Sequence, residues 1–170
     1  LNRPLSLFIE EISTADETYI NEEYIGRTGL TPYRDNHYFS SWNNPRHYSI
    51  PQKLLTKNKN ILLVKVYLYH EMYFPNKIIF GKLEEIKNIY SLYYFSRVDI
   101  NSLISILEFF TFGLFLLIFI KRPKDRESLY YAIVCFVFGL YQTNFFILKF
   151  SSNFYNKFSY FSFQKLIFSI

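Results

Sequence analysis

Two kinds of hydrophobic pattern divide the chain at about residue 82. Before that point, apolar residues come in short runs of strand length, separated by polar or turn-forming residues, and no helical period is visible. After it, apolar residues recur every three to four positions and then fill long stretches. The first pattern predicts β-strands and the second predicts helices. We therefore expect a β-domain followed by helices long enough to cross a membrane.

Short strands are predicted throughout the first part. Residues 5–9 form an apolar run, and residues 16–26 predict two strands joined by a tight turn at Asn21-Glu22, since Asn tolerates the positive φ of such turns. Every residue from 61 to 69 except the lysine is apolar or aromatic, which predicts a strand covered on both faces. Closely spaced short strands without a helical period are typical of a β-sandwich.

The helical part is predicted to begin with a linker and to continue into membrane segments. A last strand at residues 78–81 is followed by helical spacing over residues 82–99, which we interpret as the linker. Residues 100–120 are long and apolar enough for one crossing, and residues 129–150 for a second. Residues 158–170 are too short to span a bilayer and predict part of a third helix.

The charged residues predict how the membrane segments are oriented. Four basic residues follow the first predicted crossing: Lys121, Arg122, Lys124 and Arg126. Basic residues are retained on the cytoplasmic side, so this loop is predicted to be cytoplasmic and residues 1–99 to lie outside. The net charge is +5, but residues 1–99 carry twelve Lys or Arg against eleven Asp or Glu. The excess therefore belongs to the membrane half, and we predict no nucleic-acid partner.

The residues that usually carry metal or catalytic chemistry are sparse. Cys135 is the only cysteine, so no internal disulfide can form. His37, His47 and His70 lack the spacing of metal ligands. The sequence contains no P-loop, dinucleotide fingerprint or nucleophile elbow. We expect neither a metal nor a cofactor, and no enzymatic activity.

Both ends of the sequence predict a fragment of a longer protein. Residue 1 is Leu, and no signal-peptide apolar region precedes the polar domain. At the other end, the chain stops within an apolar stretch. An exported domain without cysteines is ordinary for a bacterial protein.

Three segments of the β-part resemble a known fold family. Residues 14–29 (TADETYINEEYIGRTG) resemble the D-E-x-Y-x-N-G-x-x-I-G-x-x-G pattern of galactose-binding-like jelly rolls. Residues 46–55 and 60–67 resemble the later R-x-Y-x-I-P and G-x-N-x-I-A-I-R-V segments of these domains. Followed by membrane helices, this order is similar to bacterial seven-transmembrane receptors with diverse intracellular signalling modules. Glu22 stands where the family usually has glycine, which loosens the turn but not the fold.

The resemblance implies a jelly-roll β-sandwich followed by transmembrane α-helices in a bacterial inner membrane. Residues 1–81 would be a periplasmic or extracellular sensor domain, incomplete at its N-terminus, residues 82–99 its helical linker, and residues 100–170 the start of a helix bundle in the lipid bilayer. The domain would bind a small polar ligand, such as a carbohydrate, and signal across the membrane. The downstream signalling module of the family is missing from this chain. Two alternatives are a carbohydrate-binding accessory module of a membrane-anchored glycosidase or esterase, and a non-functional gene fragment.

A polar and aromatic loop provides the candidate ligand site. Aromatic faces stack on sugar rings, and planar polar groups supply directional hydrogen bonds. The predicted ligand-binding residues are Tyr33, Arg34, Asp35, His37, Trp42 and Arg46. Packing is the alternative: Trp42 would close one end of the sandwich, and Arg46 would pair with a carboxylate at the edge of the core.

Two further groups of polar residues allow both a functional and a structural interpretation. Asp16 and Glu17 are expected to precede a strand, where they could bind calcium or catalyse but more commonly orient a loop. Glu108 lies inside the first predicted crossing, where a carboxylate is costly. With Gln142 and Asn144 in the second crossing, it is predicted to couple the two helices, either functionally or through a structural hydrogen bond.

Overall fold

The computed structural model describes residues 4–12, 15–30, 41–67, 75 and 77–146. The chain divides into two compact units, Leu1–Phe95 and Ser96–Ile170. The first unit contains all the described strands, and the second contains long helices.

Six strands of the first unit form two three-stranded antiparallel sheets. The strands are β1 Leu5–Ile9, β2 Ala15–Ile20, β3 Glu23–Thr28, β4 Arg46–Ile50, β5 Leu62–Tyr67 and β6 Ile78–Lys82. One sheet has the order β4-β1-β6 and the other the order β3-β2-β5. The expectation that the first part of the chain forms antiparallel β-structure is confirmed.

Side chains from both sheets share one hydrophobic core. Its most buried members are Leu7, Ile9, Ile12, Ile20, Tyr48 and Ile50. Val64 and Val66 of β5 pack against this cluster from the edge of the second sheet. Each large aliphatic side chain that is fully buried contributes about 1.5–3 kcal/mol to folding, so this cluster is the main stabilising element of the unit.

A helix, α1 (Leu83–Tyr94), covers the face of the first sheet that points away from this core. Phe8 of β1 is completely buried because its ring packs against Tyr93, with the ring centroids 5.1 Å apart. Further along, Ile86 lies over Gly81, where an added Cβ would come within 3.3 Å of the isoleucine. The helical spacing predicted from residue 82 corresponds to α1, which begins one residue later because Lys82 still belongs to β6.

The turn between β2 and β3 has the predicted position, and its second residue is Glu22 where glycine is usual. Asn21 and Glu22 have φ values of 49° and 70°, as a two-residue hairpin turn with two left-handed positions requires. The Asn21 side chain also donates to the carbonyl oxygen of Leu54 at 2.6 Å and accepts from the amide of Ile61 at 2.8 Å. These bonds tie the turn to the start of β5, and they hold Glu22 in a conformation that a side chain with a Cβ disfavours.

Glu22→Gly is expected to stabilise the β-unit by about 0.5–1 kcal/mol. Glycine removes the roughly 1–2 kcal/mol penalty of a left-handed residue, and its greater freedom in the unfolded chain takes part of that gain away. Urea unfolding of the full chain in detergent micelles measures the difference. Glu23→Gly is the matched control, because Glu23 lies in β3 and its replacement should lower the stability instead. Equal effects of the two substitutions would contradict this description of the turn.

The strand predicted at residues 61–69 differs from the observed β5 in one important respect. The sequence predicts cover on both faces, but Leu63 is 54% exposed and Ile61 is 59% exposed. Among the described strands, β5 pairs with β2 alone. The face of β5 that carries Leu63 and Lys65 does not contact the core. The prediction of two-sided burial is therefore wrong: Val64 and Val66 pack on the core, whereas Leu63 and Lys65 on the opposite face are exposed, so burial alternates along β5. Residues 68 and 69 lie outside the described part.

The described part of the second unit contains two helices, α2 (Ile100–Lys121) and α3 (Arg126–Phe146). A π-helical segment, Phe95–Asp99, comes directly before α2. A helical stretch that reaches from Leu83 to Lys121 is, within the described ranges, the one long and apolar enough to span a membrane. The predicted crossing at residues 100–120 corresponds to α2. A second crossing at residues 129–150 stays a prediction, and residues 158–170 lie outside the described part.

Small residues set the contact between α2 and α3. The Ser105 hydroxyl donates to the carbonyl oxygen of Gly139 at 3.0 Å, and a Cβ added at Gly139 would come within 3.1 Å of the Phe109 ring. Ring contacts of Phe109 and Phe112 with Phe136 continue the interface. The two helices therefore pack antiparallel at a register that the Ser105–Gly139 contact defines.

The loop between α2 and α3 ends in a helix cap. Asp125 accepts hydrogen bonds from the hydroxyl of Ser128 at 2.7 Å and from its amide at 3.3 Å. These bonds favour the charged carboxylate and hold the pKa of Asp125 below its ordinary value. Such a cap satisfies a backbone donor at the start of α3 and favours a sharp turn between the helices.

Candidate functional site

The predicted ligand-binding residues are only partly described. Tyr33, Arg34, Asp35 and His37 lie outside the described residues. Trp42 is partly buried in the segment that leads into β4, and Arg46 is the first residue of that strand. The structure therefore bears directly on the last two.

Arg46 is completely buried and forms an ion pair. Its Nε lies 2.9 Å from Oδ1 of Asp16, and both side chains have no exposed surface. Its terminal nitrogens donate to the carbonyl oxygens of Ser41 at 3.1 Å and Ile12 at 2.8 Å, and also to that of Asn44. The packing alternative, in which Arg46 pairs with a carboxylate, is what the structure shows. The guanidinium holds residues 41–44 in place and does not reach the surface.

Asp16 is also the centre of a network of hydroxyl groups. Its second oxygen, Oδ2, accepts hydrogen bonds from Tyr48 at 2.7 Å and from Thr18 at 3.3 Å. The Tyr48 hydroxyl has only one proton, which it donates to Asp16, so the Thr28 hydroxyl at 2.7 Å donates to the tyrosine oxygen. Burial and the Asp16 carboxylate raise the pKa of Tyr48 well above its ordinary value. The network is therefore a buried polar core with a neutral tyrosine.

Gly26 makes room for this network. A Cβ at Gly26 would overlap the Tyr48 ring, which the bonds to Asp16 and Thr28 hold in position. The glycine is therefore required by the close approach of the ring to the β3 backbone. Gly26, Asp16, Arg46 and Tyr48 all belong to the sequence segments that carry the jelly-roll resemblance. Much of what those segments specify is thus a structural network.

Asp16 and Glu17 do not form a carboxylate pair. They lie within β2 and not before it, so their side chains leave opposite faces of the strand. Asp16 turns into the core, whereas Glu17 accepts a hydrogen bond from Tyr19 at 2.7 Å. The structural interpretation favoured from the sequence agrees with these contacts, although the predicted position ahead of the strand is wrong. Within the described ranges, no group of three or more His, Cys, Asp or Glu side chains could hold a metal ion.

Of the two structural hydrogen bonds predicted as alternatives for Glu108, to Gln142 or to Asn144, the one to Gln142 is not formed. Oε2 of Glu108 and Oε1 of Gln142 are each buried without a hydrogen-bond partner in the described part of the chain. Glu108 is three residues after Ser105 in α2, and Gln142 is three residues after Gly139 in α3. Because the two helices are antiparallel, these steps lead away from the Ser105–Gly139 contact in opposite directions. A rise of 1.5 Å per residue then separates them by roughly 9 Å along the axes. The side chain of Asn144 lies outside the described part.

The network around Asp16 could have been suspected from the sequence, but its pairing could not. Asp16 and Arg46 fall at positions of their strands where apolar residues would normally face a core, and a buried charge needs a partner of opposite sign. Which of the charged residues is that partner depends on how two strands from different sheets come together.

Comparisons with protein-family models, with curated proteins and with solved structures found no match for this chain.

Proposed function

We propose that this chain is the sensor portion of a bacterial transmembrane signalling receptor. The observation that carries the proposal is the direct passage from sheet to helix: β6 ends at Lys82, α1 begins at Leu83, and the helical stretch reaches Lys121 with the composition of a membrane span. A β-unit that feeds into an apolar helix without an intervening loop is suited to pass a change in the sheets into a membrane. The jelly-roll resemblance supports the same function.

The basic loop supports an orientation with the β-unit outside the inner membrane. Lys121, Arg122, Lys124 and Arg126 are exposed at the end of α2 and the start of α3. Four basic residues within a short loop favour its retention in the cytoplasm. On this proposal, residues 1–99 are periplasmic or extracellular, and the helices that follow form the start of a bundle.

The ligand site is proposed at residues 41–44, the segment whose backbone carbonyl groups accept hydrogen bonds from the buried Arg46. Two of the carbonyl groups that Arg46 binds belong to Ser41 and Asn44, on either side of Trp42. The buried guanidinium therefore positions the backbone that carries the tryptophan. We revise the role of Arg46 from ligand binding to positioning, while Trp42 keeps its proposed role in binding a small polar ligand such as a carbohydrate. Occupancy of this site would bias the packing of the sheets on α1.

Trp42→Ala is expected to weaken carbohydrate binding tenfold or more without a large loss of stability. An indole ring that stacks on a sugar ring contributes binding energy of that order, and tenfold corresponds to about 1.4 kcal/mol. The measurement is saturation-transfer NMR of the full chain in nanodiscs against a panel of monosaccharides and disaccharides, with urea unfolding in parallel. Tyr24→Ala is the matched control, because Tyr24 is a 43% exposed aromatic residue on β3, outside the segment that Arg46 binds.

Two results would count against the binding role. One is binding of a sugar that Trp42→Ala leaves unchanged. The other is a loss of about 3–5 kcal/mol in stability, the usual cost of removing a core tryptophan, together with no binding of any sugar by the parent chain. That second result would establish the packing role of Trp42.

A further inference from the structure

A histidine lies at the contact between the first sheet and α1. His47 of β4 has its ring centroid 5.3 Å from that of Tyr90 of α1, and its Nε2 lies 2.8 Å from the hydroxyl of Ser6 in β1. Together with Lys87 of α1, these residues form what we call the His47 joint. The joint is part of the surface through which the sheet supports the helix that leads towards the membrane segment.

The hydrogen bonds determine which nitrogen of His47 carries the proton. Ser6 has one hydroxyl proton, and it donates that proton to the carbonyl oxygen of Tyr48 at 2.9 Å. The contact between Ser6 and His47 is therefore a bond from Nε2–H of the histidine to the serine oxygen. A second proton would have to bind Nδ1, and the bond to Ser6 would be the same in both charge states. Protonation therefore acts on the joint through charge and not through loss of this bond.

The surroundings of His47 disfavour its protonation, because a positive charge, that of Lys87, is already present beside it. From α1, the ammonium group of Lys87 acts on the ring, and the phenol of Tyr90 covers part of it. β1 (Leu5–Ile9) contains no charged residue. On β4 itself, the neighbouring Arg46 points to the opposite face and pairs with Asp16. Burial and Lys87 lower the pKa of His47, whereas the face of an aromatic ring would favour a cation.

We propose that the His47 joint is an acid-sensitive contact, in which protonation of His47 weakens the packing of α1 on the first sheet. The weakened contact would change how the β-unit holds the helix, so that an acidic exterior acts on the receptor independently of its ligand. The effect on signalling rests on the proposed function, but the change in packing does not.

The direction of the pH effect follows from where the proton binds. The folded state holds a proton on His47 less well than the unfolded state, whose pKa is near 6.5. The stability that neutral His47 contributes is therefore fully present above pH 6.5. It is lost as the pH falls below 6.5 towards the lowered pKa of the folded state.

The test compares variants at the same pH by hydrogen–deuterium exchange. His47→Gln keeps a side-chain N–H that can reach Ser6 but cannot become charged. In the full chain in detergent micelles, the parent should show faster exchange of the α1 amides than His47→Gln at pH 5.0, and equal exchange at pH 7.5. A chain with His37→Gln and His70→Gln together is the matched control and should behave as the parent does.

A second variant separates a charge effect from simple loss of packing. Lys87→Gln removes the neighbouring positive charge and so brings the pKa of His47 in the folded chain closer to its ordinary value. The loss of protection of the α1 amides between pH 7.5 and pH 5.0 should therefore be smaller in this variant than in the parent. The proposal is overturned if the parent and His47→Gln exchange equally at pH 5.0, or if Lys87→Gln loses as much protection as the parent or more between pH 7.5 and pH 5.0. Because the measurement requires neither a ligand nor a particular membrane orientation, its failure is distinguishable from failure of the receptor proposal.

Discussion

Arg46→Met is expected to destabilise the β-unit by about 3–5 kcal/mol. The substitution leaves the Asp16 carboxylate, which has no exposed surface, without its cationic partner. It also removes the donors that bind the carbonyl oxygens of Ile12, Ser41 and Asn44. A buried charge without compensation is among the most costly changes a protein can suffer, which is why this effect should exceed that of an ordinary core substitution.

Urea unfolding of the full chain in detergent micelles measures this loss. Trp42 is the only tryptophan and lies in the β-unit, so its fluorescence follows that unit. Lys82→Met is the matched control, because it breaks the Lys82–Glu85 pair, in which both side chains are more than half exposed. Removing such a surface pair should change the stability by about 0–1 kcal/mol.

A double variant tests whether the unpaired charge is the cause. In the Arg46→Met background, Asp16→Asn removes the charge and keeps an oxygen that can accept from Tyr48. The double variant should therefore be more stable than Arg46→Met alone. If Arg46→Met lowered the stability no more than Lys82→Met does, the claim that the buried Arg46–Asp16 pair is needed for the stability of the β-unit would be contradicted.

The parts of the fold that sequence patterns predicted correctly are those fixed by local interactions. The hairpin at Asn21-Glu22 depends on the positive φ of two adjacent residues, and the start of α1 depends on a change of spacing that begins at Lys82. Each signal is contained within a few residues of the chain. The turn type and the helix boundary could therefore be derived without knowledge of the tertiary fold.

The parts that were wrong depend on which neighbours the fold supplies. The apolar composition of β5 predicted cover on both faces, but only the face that carries Val64 and Val66 packs on the core, which leaves Leu63 exposed. Likewise, a bond from Glu108 to Gln142, one of the alternatives predicted for this carboxylate, required a helix register that the Ser105–Gly139 contact does not allow. The cover of a strand face and the register of a helix pair are properties of the assembled structure, and residue type alone does not determine them.

The candidate site was predicted in part for the same reason. Residue types identified Arg46 as a side chain with either a ligand or a carboxylate partner, but not which of the two. The partner, Asp16, is thirty positions away on a strand of the other sheet. Only the folded structure, in which Arg46 of β4 reaches Asp16 of β2, shows that the arginine is buried and binds the backbone on either side of Trp42.

The orientation of the chain in the membrane is the second prediction with a large expected effect, since its outcome is all or none. The loop at residues 121–126 should face the cytoplasm and the β-unit should face the exterior. Trypsin has exposed sites in both places. Lys57 and Lys59 lie in the exposed turn before β5, and the loop offers Lys121 and Arg126, whereas Pro123 protects the bond after Arg122.

Protease access in spheroplasts and in inverted membrane vesicles tests the receptor proposal most directly. In spheroplasts of cells that express the full chain, trypsin should cut after Lys57 or Lys59 and leave the loop at residues 121–126 intact. In inverted vesicles it should cut after Lys121 or Arg126 and leave the β-unit intact, and detergent should expose both regions in either preparation. Cleavage of the β-unit in inverted vesicles, with its protection in spheroplasts, would place it in the cytoplasm and contradict an external sensor.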